Sequence, residues 1–167
     1  MEVVKLFKIP ELNIRKTVKN FKGVEGRLQF VKSVQGVKIY NDNNATTPEA
    51  TIACIIALCQ EGKEGKIILI AGGADKKLDL NLFVNIVNTF CKGVILIPGT
   101  GTEKLLSLKL KLESYKVKNL KQAVEKSLAL AKKGDTILFS PAFASFGMFN
   151  NEYERNDLFL KIIKRLK

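Results

Sequence analysis

Three short, almost continuously apolar runs constrain the fold of this chain more than any other feature. They lie at residues 66–71, 94–97 and 136–139, and runs of this kind are typical of strands that are buried on both faces of a parallel sheet. Segments with helical spacing of apolar residues alternate with them, which indicates βα units with right-handed crossovers. The core is therefore expected to be a parallel sheet that is covered by helices.

Two further segments, 27–31 and 37–40, have the composition of strands and flank a turn signal at Gln35-Gly36. They predict a β-hairpin ahead of the βα units. Together these patterns predict an α/β fold, Rossmann-like, with a mostly parallel sheet of about six strands and helices on both faces. A chain of 167 residues can bury a core of that size as one domain.

Polar segments follow three of the predicted strands directly, at 42–47, 72–76 and 140–145. Because the carboxyl ends of parallel strands meet at the same edge of a sheet, these segments are expected to gather there as a binding site. The adjacent glycines of the second segment let the backbone approach a ligand closely. Lys76 supplies an ammonium group for a carboxylate or a phosphate.

Two of the polar segments also have a purely structural interpretation. Thr46 or Thr47 can act as the N-cap of the helix that follows, with Pro48 in its first turn. In the third segment, helical spacing from Met148 onward predicts a helix start. Ser145 is therefore expected either to bind an anion near that start or only to cap the helix, and the local sequence leaves both readings open.

Composition excludes several classes of function. The chain contains no histidine, so Ser-His-Asp catalysis, Cys-His catalysis and histidine-ligated zinc are excluded within it. No metal site and no catalytic residue is predicted. Its three cysteines form no CxxC pair and are interpreted as reduced core residues of a cytoplasmic protein.

The net charge of +12 comes mainly from lysines that are scattered over the predicted helices. Nucleic acid is therefore not expected as a partner, although phosphate groups attract basic proteins. No apolar run has the roughly 20 residues that a membrane span needs. The glycine-lysine pairs at 62–63 and 65–66 do not complete a GxxxxGK[ST] P-loop, and the Gly99-Thr100-Gly101 turn lacks the third glycine of a dinucleotide fingerprint.

Five motifs are spread over nearly the whole chain. They are Arg27-Leu28-Gln29, Asp42-x-x-Ala45-Thr46, Leu69-x-x-Gly72-Gly73-x-Asp75-Lys76, Gly134-Asp135-x-x-Leu138-x-Ser140-Pro141-Ala142-x-Ala144-Ser145-Phe146 and Phe149-x-Asn151-x-x-x-Arg155. In this order they resemble the C-terminal domain of the Mur ligase family, in its D-glutamate-adding branch. The resemblance implies that residues 23–167 are this domain and that residues 1–22 are the closing helix and linker of a central ATPase domain.

The resemblance further implies an ATP-dependent amide ligation in peptidoglycan precursor synthesis. In it the carboxylate of UDP-N-acetylmuramoyl-L-alanine becomes an acyl phosphate, which the amine of D-glutamate attacks. ATP and Mg²⁺ would be bound mainly by the central domain. The residues that the resemblance assigns to D-glutamate are Thr46, Lys76, Ser145 and Phe146, and those that would face the nucleotide are Asp42, Asn43 and Asn44.

The chain also departs from the family pattern. Asn43-Asn44 replaces a frequent Ser-Lys pair, Gly147 replaces a frequent acidic residue, and Asn156 replaces a frequent glycine. Since the P-loop is absent from these residues, we expect no ATP hydrolysis by them alone and expect N-terminal and central ligase domains to act with them in cis or in trans. The alternative is a stand-alone Rossmann-like module that binds a nucleotide or an acidic ligand without ligase activity.

Overall fold

The structure is a computed structural model that describes residues 6–59 and 65–166. Its centre is a six-stranded sheet. The strands are β1 (Gln29–Val34), β2 (Val37–Asn41), β3 (Ile67–Ala71), β4 (Cys91–Leu96), β5 (Glu113–Lys116) and β6 (Thr136–Phe139). The helices are α1 (Glu11–Asn20), α2 (Pro48–Cys59), α3 (Asn81–Phe90), α4 (Thr100–Leu106), α5 (Leu120–Leu130) and α6 (Glu152–Lys164).

The strands lie in the order β1-β2-β6-β3-β4-β5. Strands β1 and β2 form an antiparallel hairpin, and all other neighbours are parallel. Gln35 and Gly36 of the hairpin turn both have positive φ angles, as a two-residue turn that matches the twist of the strands requires. The predicted Rossmann-like α/β fold, with its hairpin and mostly parallel sheet, is confirmed.

Helices cover both faces of the sheet. Helices α2 and α3 pack on one face through buried residues such as Ile55 and Phe83. Helices α5 and α6 pack on the other face, where the ring of Phe159 stacks on that of Phe139 with centroids 4.4 Å apart. Every residue of β3 is buried, which explains why its sequence shows a continuous apolar run instead of an alternating pattern.

The spacing of apolar residues predicted that the last helix starts at Met148. This prediction is wrong, because the helix begins four residues later. Helix α6 starts at Glu152, and the Asn151 side chain caps it by accepting a hydrogen bond from the Glu154 backbone N–H. Gly147, with φ of 95°, turns the chain just before Met148. Phe149 is buried from within this loop, so its apolar position reflects core packing and not helical periodicity.

Helix α1 has no buried residue. Its apolar side chains, such as Leu12 and Val18, are exposed, so none of its residues is buried against the part of the chain that the structure describes. The boundary between residues 1–22 and 23–167 stays a prediction. Across residues 6–59 and 65–166, no helix combines the length and the apolar character that crossing a membrane requires.

Candidate functional site

The three polar segments gather at the carboxyl ends of β2, β6 and β3, which are adjacent strands. Backbone hydrogen bonds join the segments to one another. The Ala142 N–H donates to the Ala45 carbonyl at 3.0 Å, and the Gly72 N–H donates to the Pro141 carbonyl at 2.9 Å. Ala74 and Ala144 bond each other through both of their backbone groups. The loops therefore form one continuous rim, which we call the strand-end rim (residues 42–47, 72–76 and 140–146).

Lys76 and Thr46 meet on this rim. The Lys76 Nζ donates a hydrogen bond to Thr46 Oγ1 at 2.9 Å across 30 positions of sequence. Thr47, not Thr46, caps helix α2, because its Oγ1 accepts from the Ala50 backbone N–H at 3.4 Å. The sequence left open which threonine caps the helix, and the structure gives this role to Thr47. The Thr46 hydroxyl instead contacts Lys76 on the rim.

Ser145 lies next to the Lys76 loop. Its neighbour Ala144 is bonded to Ala74, two residues before Lys76. Ser145 as a residue is only 4% exposed, and its hydroxyl has no hydrogen-bond partner among residues 6–59 and 65–166. It is not at a helix start, since α6 begins seven positions later. A hydroxyl without such a partner can donate to a ligand.

Phe146 stands at the outer side of the rim and is 62% exposed. With Thr100 and Met148 it lines a cleft of about 260 Å³ that also borders Ala74. Thr46, Lys76 and Ser145 therefore belong to one rim, and Phe146 forms its apolar flank.

The three residues predicted to face a nucleotide bind other parts of the protein. Both oxygens of the buried Asp42 carboxylate accept hydrogen bonds, from the Leu28 N–H at 3.0 Å and the Ser140 hydroxyl at 2.7 Å. Asn43 is also buried, and its Nδ2 donates to the Asn44 Oδ1 at 3.3 Å. The Asn44 Nδ2 donates to the Glu25 carbonyl at 3.2 Å. Their role toward a nucleotide stays a prediction.

Arg27 lies beside the strand-end rim, and the sequence did not assign it to the site. Its exposed guanidinium donates to the Asn44 carbonyl at 3.4 Å, and the Thr46 N–H donates to the same carbonyl at 3.1 Å. Arg27 thus brings a second cation close to Thr46. The available signal was its place in the motif Arg27-Leu28-Gln29, to which no role in the site was assigned.

Arg155 is a second residue whose importance the sequence analysis missed. Its side chain is fully buried. It donates to the Asn43 Oδ1 at 2.8 Å, to the Asn43 carbonyl at 2.9 Å and to the Phe143 carbonyl at 3.2 Å. Burial lowers the pKa of Arg155 to about 10, against the opposing effect of the Glu152 charge, so the guanidinium remains protonated at neutral pH. Through Asn43 and Phe143, the Arg155 side chain connects the first and the third segment of the rim on their buried side.

Cys54 gives a first testable prediction. Burial raises the pKa of its thiol well above the usual range, and the Asp42 carboxylate raises it further as hydrogen-bond partner and as negative charge, while Arg27 partly opposes this. Because the thiolate is the reactive form, we expect Cys54 to react with Ellman's reagent at pH 8 at least about ten times more slowly than in the urea-unfolded chain. A fast-reacting thiol in the native chain that disappears in Cys54→Ala would contradict this.

The chain is similar to known proteins over most of its length. The family model described as "Mur ligase, glutamate ligase domain" matches residues 26–143. The UDP-N-acetylmuramoylalanine–D-glutamate ligase of Borreliella burgdorferi (strain ZS7) is 41% identical over 149 residues, which are 88% of this chain and 32% of that protein. The ligase of the same name from Caldanaerobacter subterraneus subsp. tengcongensis is 39% identical over 159 residues, 92% of this chain and 34% of that protein. The chain spans about a third of the length of these curated relatives.

Solved structures share the fold at lower sequence identity. The MurF ligase from Thermotoga maritima, in complex with ADP, superposes with a TM-score of 0.62 at 19% identity and covers 92% of this chain and 36% of its own. FolC from E. coli, in complex with ADP, superposes with a TM-score of 0.61 at 19% identity and covers 85% of this chain and 32% of its own.

Proposed function

Because the chain belongs to the Mur ligase family, in which it corresponds to the glutamate ligase domain, we propose that it binds D-glutamate on the strand-end rim. The whole protein would use ATP to join this amino acid to UDP-N-acetylmuramoyl-L-alanine in the synthesis of peptidoglycan precursors. The observation that carries the proposal is the contact between Lys76 and Thr46. Ser145 follows Ala144, which the antiparallel bridge to Ala74 joins to the loop that carries Lys76.

The hydrogen-bond donors on the rim suit a dianion. The Lys76 ammonium has three N–H donors and uses one of them on Thr46, so two remain. The Thr46 and Ser145 hydroxyls add one donor each. Charge-assisted bonds from these groups would hold the two carboxylates and leave the amine of D-glutamate free. The contribution of this domain to the ligation is then positioning, since an amine that is held at the right place attacks far more often than a free one.

In this proposal ATP and Mg²⁺ are bound mainly by the other domains of the ligase. Within residues 6–59 and 65–166, no three acidic or cysteine side chains come together as a metal site, so no step is assigned to Mg²⁺ on this domain. Arg27 provides the side of the rim near Asn44 with an exposed cation, and this supports an approach of nucleotide phosphates there. A cytoplasmic location is part of the proposal, and three cysteines in the thiol form fit it.

Titration of the ¹⁵N-labelled chain with D-glutamate, followed by NMR, tests the proposal. We expect amide signals of the three rim segments to shift, and we expect Lys76→Ala to weaken binding at least about ten-fold, as the loss of a hydrogen bond to a charged group predicts. Lys77→Ala is the matched control, because it removes the same charge from the next, equally exposed position; its effect should stay below about two-fold.

Two results would contradict the proposal. The first is the absence of any D-glutamate-dependent shift on the rim at millimolar ligand. The second is an equal loss in Lys76→Ala and Lys77→Ala, which would mean that the ligand responds only to the general positive field of the chain and would favour a module for acidic ligands.

A further inference from the structure

We propose that Lys104 is a positioning residue for the proposed D-glutamate site, because it neutralises Asp75 and so keeps Lys76 directed toward Thr46. This inference rests on the proposed function and extends it to a residue outside the strand-end rim. Lys104 lies on helix α4 and has no contact of its own with Thr46, so its effect would pass through the loop that carries Lys76.

The Lys104 ammonium holds that loop on both sides of Lys76. It lies 3.3 Å from each oxygen of the Asp75 carboxylate and donates to the Leu78 carbonyl at 2.8 Å. Thr100, one turn earlier on α4, accepts a hydrogen bond from the Asp75 N–H at 2.9 Å. Residues four apart on a helix share one face. Thr100 and Lys104 therefore bind the loop from the same face of α4, at positions before and after Lys76.

The negative charge of Asp75 can also affect the Lys76 ammonium and the ligand. Asp75 precedes Lys76 directly in sequence, so without Lys104 its carboxylate would become available as an acidic partner for the Lys76 ammonium. An ammonium that pairs with Asp75 leaves Thr46, and an unneutralised carboxylate at this place repels a dianionic ligand. Lys104 therefore both anchors the loop and removes a competitor for Lys76.

The competition predicts a signature that simple loss of loop structure does not produce. Replacing Lys104 alone exposes the Asp75 charge, whereas replacing both residues removes the competitor together with its partner. The double variant Asp75→Asn/Lys104→Met should therefore bind D-glutamate better than Lys104→Met, although it lacks more native interactions. Such non-additivity is what a double-mutant cycle measures.

The experiment uses the ¹⁵N-lysine-labelled chain and two readouts. The first is the NMR signal of the Lys76 ammonium without ligand, assigned by its loss in Lys76→Arg. The second is the affinity for D-glutamate. We expect Lys104→Met to move the Lys76 signal and to weaken binding about five-fold, within the range of partly exposed ion pairs. Lys104→Arg should keep the signal. The double variant should return the Lys76 signal to its wild-type position and bring the affinity for D-glutamate to within about two-fold of the wild-type value.

Lys116→Met is the matched control, because it removes another lysine that pairs with a carboxylate of α4, that of Glu103; it should change neither readout. An unchanged Lys76 signal in Lys104→Met would overturn the inference, as would a double variant that binds no better than Lys104→Met. A wild-type chain that fails to bind D-glutamate would contradict the proposed function, while the Lys76 signal would still decide whether Lys104 positions this side chain.

Discussion

Replacing Arg155 with methionine is expected to lower the free energy of unfolding by about 3–5 kcal/mol. The fully buried guanidinium donates to two carbonyls and to the Asn43 side chain. Methionine fills much of the same volume, but it leaves these three oxygens without a donor in a site that water does not reach, and each buried unsatisfied acceptor costs about 1–3 kcal/mol. Since Asn43 and Phe143 belong to different segments of the rim, the loss should also loosen the site.

Urea unfolding followed by circular dichroism measures this effect. Arg165→Met is the matched control, because Arg165 ends the same helix at an exposed position and should change stability by no more than about 0.5 kcal/mol. Arg155→Lys keeps the charge but cannot reproduce the planar fork of donors, so it should fall between the two. Equal stabilities of Arg155→Met and Arg165→Met would show that the buried guanidinium does not hold the rim together.

Replacing Gly73 with alanine is expected to destabilise the protein by about 3 kcal/mol or more. Gly73 has φ of 136°, which alanine adopts only with strain. In addition, an added Cβ would lie 2.2 Å from the Ala144 carbonyl oxygen. That oxygen accepts the hydrogen bond from the Ala74 N–H, so the clash acts directly on the bridge between the Lys76 loop and the Ser145 loop.

Gly134→Ala separates the two contributions. Gly134 also has positive φ, 94°, but an added Cβ meets nothing within 4 Å, so only the backbone strain of about 1–2 kcal/mol is expected. The difference between the two variants in urea unfolding reports the clash. In the D-glutamate titration, Gly73→Ala should lose the shifts of the rim amides, while Gly134→Ala should keep them. A Gly73→Ala chain as stable as Gly134→Ala would mean that the two loops are not packed against each other.

The fold was predictable because its signals are local. The apolar run at 136–139 coincides with β6, and the hairpin turn at Gln35-Gly36 lies where the turn residues indicate it. Where the same reasoning failed, a long-range effect was responsible. Phe149 and Met148 suggested a helical period, but the core on the α6 side of the sheet contacts them as part of a loop, and the helix starts only at its Asn151 cap.

The site was predictable in part. That the polar segments would share one edge followed from the parallel topology, and Lys76 and Thr46 are in contact there. The inward direction of Asp42 could not be predicted from its own loop, because its partners are Leu28 and Ser140. The grip of Lys104 on Asp75 was equally hidden, since a lysine in a lysine-rich chain carries no signal of its partner.

The sequence by itself determined which segments become strands and helices and which edge of the sheet carries the polar loops, because hydrophobic period and turn chemistry act between near neighbours. Tertiary structure alone decided which threonine contacts a lysine and which arginine is buried beneath the rim. Those choices depend on hydrogen bonds between residues 30 and 112 positions apart. Their energies arise only after the chain has brought such distant donors and acceptors together.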